Sequence, residues 1–274
     1  MKKFVNIIIS LLAVAACSHK ADNESMVEWT FEATYTKASI GITDGAFAWK
    51  AGDAIAVWNQ TGSAFVPFTT IAGRGKFSAL APANSHFADI AYYPASIATT
   101  PTTVALPAVY ESTEAAAACF PMGAAITEGD NLLSFKHLGA LIAVNLANVP
   151  SEAQYLEIST PGKAISGNFE VASGAIQAGT GSGAVRVNLS LEDTDNICVL
   201  VPVPTGTYPL TIKVVSEADP DLFVVESEAA ITFNRANLYS LETLDVEKPS
   251  EVIINFTVAS LENFTLDDDG AYWE

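Results

Sequence analysis

The sequence predicts an all-β protein built as a sandwich or barrel, and three observations carry that expectation. Large apolar residues alternate with polar ones at a period of two in several short runs. Breaker residues interrupt those runs at short intervals. Helix composition is confined to Ser112 to Ala118, a glutamate followed by alanines that makes at most about two turns. Strands this short, separated by regular turns, exclude a doubly wound sheet.

In chain order, the first strand is Trp29-Thr30-Phe31-Glu32-Ala33-Thr34-Tyr35. Ile55-Ala56-Val57-Trp58 follows the Gly52-Asp53 turn, where glycine reaches positive φ and aspartate caps the backbone. Thr61-Gly62 and Gly73-Arg74-Gly75 mark later turns. Leu132 to Leu146 reads as one long strand or as a strand pair broken at Gly139, and Val149-Pro150-Ser151 punctuates it. Beyond Pro161-Gly162 and the glycine-rich stretch from Ala178 to Gly183, Val185-Arg186-Val187-Asn188-Leu189 alternates cleanly. Pro202 and Pro204 suit a strand end or sheet edge, since proline has no N–H for the ladder. These signals place two tandem sandwich-sized domains at 27–137 and 138–246, with the linker Lys248-Pro249-Ser250 inside an extension at 247–274.

The N-terminus carries Lys2 and Lys3 ahead of an apolar run from Phe4 to Leu12, a signal peptide over 1–16 that is too short to span a bilayer permanently. Val14-Ala15-Ala16-Cys17 resembles the lipobox of bacterial lipoproteins, so Cys17 is the expected acylation site and 17–26 a tether. An ordinary secretory signal with an incidental cysteine is the weaker alternative. No later run is long and apolar enough to cross a membrane as a helix.

Thirty-one acidic and 13 basic residues give a formal net charge of −18. Nucleic acid is excluded as a natural partner, because phosphate binding needs a basic stripe and the arginines, Arg74, Arg186 and Arg235, lie far apart. Besides Cys17 only Cys119 and Cys198 remain, too few to staple the fold, and buried free thiols are expected rather than a bridge.

Catalytic and cofactor signatures fail one by one. His19, His86 and His137 are scattered without the carboxylates a metal site wants. Ala184 occupies the third glycine position of a dinucleotide loop, and Thr180 stands where a nucleophile elbow ending at Ser182 requires glycine. Asp267-Asp268-Asp269-Gly270, like Asp193 and Asp195, reads as solvated turn acids rather than a calcium loop. Trp29, Trp49, Trp58, Tyr92 and Tyr93 could form a sugar platform, but packing is the stronger reading. The sequence therefore predicts no enzyme, no cofactor and no metal.

Several strings, in order, resemble the fimbrillin-like lipoproteins of Bacteroidetes. They begin with Trp49-Lys50-Ala51-Gly52-Asp53-Ala54-Ile55-Ala56-Val57, Ala91-Tyr92-Tyr93-Pro94 with Leu106-Pro107, and Phe120-Pro121-Met122. Phe135-Lys136-His137-Leu138-Gly139-Ala140-Leu141, Val201-Pro202-Val203-Pro204 with Gly206-Thr207-Tyr208, and Arg235-Ala236-Asn237-Leu238-Tyr239 complete the set. The resemblance implies two transthyretin-like Greek-key β-sandwich domains, a lipid anchor in the outer membrane, proteolytic loss of the first strand, and assembly with other fimbrial subunits by donor-strand exchange. Lys37 is the candidate processing site, although a lysine stands where an Arg-specific protease would want arginine. The donor candidate is the terminal strand with Val252, Ile254, Phe256 and Val258 on one apolar face, which could equally pair within its own chain. A non-polymerising, glycan-binding surface lipoprotein is the alternative function.

Overall fold

The computed structural model describes residues 25–35, 49–127, 129–189, 196–247, 254, 256–261, 266–267 and 270–271. Strands dominate them, as the alternation predicts, and the only α-helix among them is α1 (Thr113–Ala118). The Ser112 hydroxyl caps α1 by accepting the Ala115 N–H at 3.2 Å.

The first unit closes on itself. Its strands are β1 (Met26–Tyr35), β2 (Ala54–Asn59), β3 (Ala64–Thr69), β4 (Lys76–Pro82), β5 (Phe87–Tyr93), β9 (Met122–Ile126) and β10 (Leu132–His137), ordered β1-β10-β9-β5-β2-β3-β4. β1 lies antiparallel to β4, from Met26↔Pro82 to Glu32↔Lys76, and parallel to β10, from Glu32↔Leu132 to Tyr35↔Phe135. Because β1 serves both neighbours, the ladder has no free edge and the unit is a barrel, one of the two architectures the alternation allows. Its interior is aromatic: Trp49 meets Phe77 and Tyr93 edge-to-face, each at 4.9 Å between ring centroids. The Gly52 turn forms as expected, with φ at +91° and the Asp53 carboxylate accepting the Lys50 N–H at 2.7 Å.

Between β5 and β9 the chain leaves the barrel as β6 (Ala98–Thr100), β7 (Thr103–Leu106), β8 (Val109–Tyr110) and α1. β7 pairs antiparallel with β13 (Ser166–Ala172), and β8 runs parallel to β15 (Ala184–Asn188). These strands precede residue 137 in the chain, yet their hydrogen bonds lie with the second half.

Three larger sheets make most of the second unit, beside a two-stranded sheet of β17 (Gly206–Tyr208) and β20 (Ile231–Phe233). One is ordered β16 (Asn196–Val203), β11 (Ala140–Ala147), β21 (Asn237–Leu241) and β23 (Phe256–Ser260), with β22 (Leu244–Asp245) also parallel to β11. Another is ordered β19 (Phe223–Glu226), β18 (Thr211–Ser216), β12 (Ala153–Ser159), β15 and β8, and the third β14 (Ala175–Ser182), β13, β7 and β6. The run from Leu132 to Leu146 is thus a strand pair, broken at Leu138-Gly139, where a Cβ on Gly139 would lie 2.5 Å from the Val203 carbonyl oxygen. β11 is buried on both faces. Ile142, Val144 and Leu146 join the core of the second unit, while Leu141 and Ala143 join that of the barrel. That double burial explains a continuous apolar run where a half-buried strand would alternate. Pro202 sits on β16, at the sheet edge, as its missing N–H demands.

Candidate functional site

Near the end of the chain, β23 adds one edge strand to the second unit. β23 runs antiparallel to β21, from Asn237↔Ser260 to Leu241↔Phe256, and its other edge carries no strand among the described residues. Alternation aims Ile254 and Phe256 at the second core, where both are half-buried. The Phe256 ring lies 6.0 Å from Tyr239 and 6.3 Å from Phe233, which stacks on Tyr208 at 4.7 Å. The Tyr208 hydroxyl donates to the Pro204 carbonyl at 2.7 Å, and burial pushes this phenol well above its ordinary range. The Tyr239 hydroxyl donates to the Thr232 carbonyl and accepts the Asn234 N–H, each at 2.8 Å. This aromatic ledge is what the terminal strand covers.

The expected residues are not all brought together. Ile254 and Phe256 share the core face, whereas Val258, of the same parity, is 55% exposed beyond the edge of the core. Val252, Cys17 and Lys37 lie outside the described residues. Sequence reasoning missed Leu261, which is 1% exposed and points the opposite way, into the barrel cluster. Its signal was its parity: it continues the mixed face of the strand, two positions past Ala259.

On the barrel, β1 contributes Phe31 and Ala33 to the interior, and Trp29 packs edge-on against Phe87 at 5.2 Å while its indole N–H donates to the Pro82 carbonyl at 3.3 Å. The five aromatics considered as a sugar platform do not form one. Trp49, Tyr92 and Tyr93 are buried: β5 aims Tyr92 into the second core and Tyr93 into the barrel, and Trp49, just ahead of the Gly52 turn, packs into the barrel. Among the described residues no three His, Cys, Asp or Glu side chains are grouped to hold a metal. Asp267 and Gly270 pair across a two-stranded hairpin, whereas Asp268, Asp269, Asp193 and Asp195 lie outside the described residues. Both described thiols are free; burial lifts Cys119 to about 11 and raises Cys198 as well.

No protein-family model matches the chain, and no curated relative does either. Solved structures do. A candidate cell adhesion protein from Bacteroides ovatus shares 12% identity, covers 87% of this chain and 98% of its own, and superposes with a TM-score of 0.55. A second such protein, from Bacteroides uniformis, has 17% identity, coverage of 85% and 98%, and a TM-score of 0.48. The tip fimbrial protein Mfa3 from Porphyromonas gingivalis has 13% identity, coverage of 86% and 100%, and a TM-score of 0.41. The first of these likenesses spans nearly the whole of both chains and establishes a common fold. That fold agrees with the fimbrillin-like pattern in the sequence.

Proposed function

We propose that this chain is a surface-exposed, lipid-anchored fimbrial subunit or adhesin, held by Cys17 and assembled with other subunits by donor-strand exchange. The observation that carries the reading is β23, a terminal edge strand joined to the fold by a single ladder. Its apolar face is incompletely covered, with Val258 exposed and Ile254 and Phe256 half-buried. In the lone chain this strand pairs in cis with β21, and exchange releases it through the linker Lys248-Pro249-Ser250.

A cut at Lys37 frees β1, leaving β4 and β10 with unpaired backbone and a groove where Phe31 and Ala33 now sit. A neighbour's terminal strand offers Val252, Ile254, Phe256 and Val258 to such a groove. Burying four such side chains contributes about 6–12 kcal/mol before ordering costs.

Negative-stain microscopy of the trypsin-treated protein tests the reading. Fibres are expected from the full chain and none from a chain truncated after Lys248. Fibres from the truncated chain, or N-terminal sequencing that finds assembled subunits with β1 intact, would refute it.

A further inference from the structure

At the end of the barrel where β1 begins, the mouth holds a cavity of about 200 Å³. Strand lengths create it. β10 first meets β1 at Glu32↔Leu132, whereas β1 already runs beside β4 from Met26. The stretch before Glu32 therefore overhangs the opening, and parity aims Trp29 and Phe31 inward across it. Phe87, the first residue of β5, stands nearly perpendicular to both. Its ring centroid lies 5.2 Å from that of Trp29 at 70° between planes, and 5.9 Å from that of Phe31 at 88°. All three rings line the cavity. The Trp29 indole N–H donates to the Pro82 carbonyl at 3.3 Å, so the indole meets the cavity as a ring and not as a donor.

The turn between β9 and β10 supplies the rim. The Glu32 N–H donates to the Asn131 carbonyl at 2.8 Å and ties that turn to β1, while the Asp130 N–H donates to the Thr127 carbonyl at 3.0 Å. One oxygen of the Asp130 carboxylate accepts the Leu132 N–H at 2.9 Å. That bond fixes the carboxylate at the rim and leaves it further acceptor positions on its two oxygens. Among the described residues no lysine or arginine lines the cavity.

We propose that this mouth binds a quaternary ammonium group, its methyl groups against Trp29, Phe31 and Phe87 and its charge beside the Asp130 carboxylate. Aromatic rings attract such a cation through their quadrupole, tryptophan most strongly. The net charge of −18 draws cations towards the chain and repels anions. A primary ammonium brings three N–H donors that ring carbon cannot satisfy, and a polyol brings hydroxyls with the same difficulty. A quaternary ammonium needs no hydrogen bond. A neutral hydrocarbon would leave the carboxylate unmatched. The volume is that of a headgroup, below the range of drug-sized ligands.

Choline is the probe and 3,3-dimethylbutan-1-ol, of the same shape without the charge, is its control. Both are titrated by NMR at pH 8 into the full chain carrying Cys17→Ala, left unprocessed because β1 forms one wall of the site. Choline is expected to bind at least about tenfold tighter than the alcohol, the scale of a desolvated cation–π contact. Asp130→Asn keeps the oxygen that accepts the Leu132 N–H and removes the charge, so choline weakens several-fold with the unfolding midpoint unchanged. Trp29→Leu brings the affinities for choline and the alcohol together, a ratio that a general loss of folding would not change selectively. Phosphocholine is the third arm: binding on a par with choline supports a lipid headgroup as the source of the cation, and binding of choline alone supports the free cation. No choline binding, equal affinity for the alcohol in the unsubstituted chain, or an unchanged ratio in Trp29→Leu overturns the proposal. Fibre formation is not read in this experiment, so its result stands apart from the assembly reading.

Discussion

The backbone N–H of Leu261 donates to the Ala236 carbonyl over 2.6 Å, fastening the end of β23 to the turn that begins β21. Ala236 sits in the left-handed region at φ +58°, and its own N–H donates to the Gly139 carbonyl at 2.9 Å. One alanine therefore joins the β10–β11 break, β21 and the terminal strand.

Leu261 holds this junction with its side chain as well, buried in the barrel cluster. Leu261→Ala is expected to cost about 2–5 kcal/mol, the range for removing a buried leucine. Urea denaturation measures it, and an unchanged midpoint would show that the cis pairing of β23 adds nothing to the fold.

Acid should expose His137. Burial, with the Arg235 guanidinium adding to it, lowers this imidazole to about 4, and its Nε2 has no hydrogen-bond partner among the described residues. The unfolded chain titrates near the ordinary value of about 6.5. Above that pH both states are neutral; as pH falls towards 4 the unfolded chain binds a proton that the folded chain refuses, and stability drops. The loss attributable to His137 is about 2–3 kcal/mol by pH 4.5. Urea midpoints at pH 7 and pH 4.5 should diverge more in the wild type than in His137→Gln.

The thiols should label in sequence. Cys119 is 6% exposed and its thiol is lifted to about 11, while Cys198 is partly exposed. A thiol reagent at pH 8 is expected to modify Cys198 slowly and Cys119 only after denaturant is added. Equal rates in the native protein would contradict this packing.

The second half should not fold by itself. Ile97, Val104, Leu106 and Tyr110 are all buried in its core, although they precede β9 of the barrel in sequence. A fragment of residues 138–274 lacks them and leaves β13 without β7 and β15 without β8. Its circular dichroism should lack the cooperative unfolding transition of the full chain.

What the sequence determined by itself was local. The alternation in Trp29 to Tyr35 and Val185 to Leu189 marked strands, Gly139 marked a break, and Gly52-Asp53 a turn, because side-chain parity and backbone φ are properties of neighbouring residues. In the candidate site, the apolar side of the terminal strand was legible at Ile254 and Phe256, while the exposure of Val258 and the burial of Leu261 were not. Those depend on where the strand sits in its sheet. Only the tertiary structure decided that β1 closes a barrel by pairing with both β4 and β10, that β7 and β8 cross to the second unit, and that β11 is buried on both faces. Every strand offers the same backbone donors and acceptors, so the partner is chosen by whichever distant surface completes a core, and no single run of residues carries that choice.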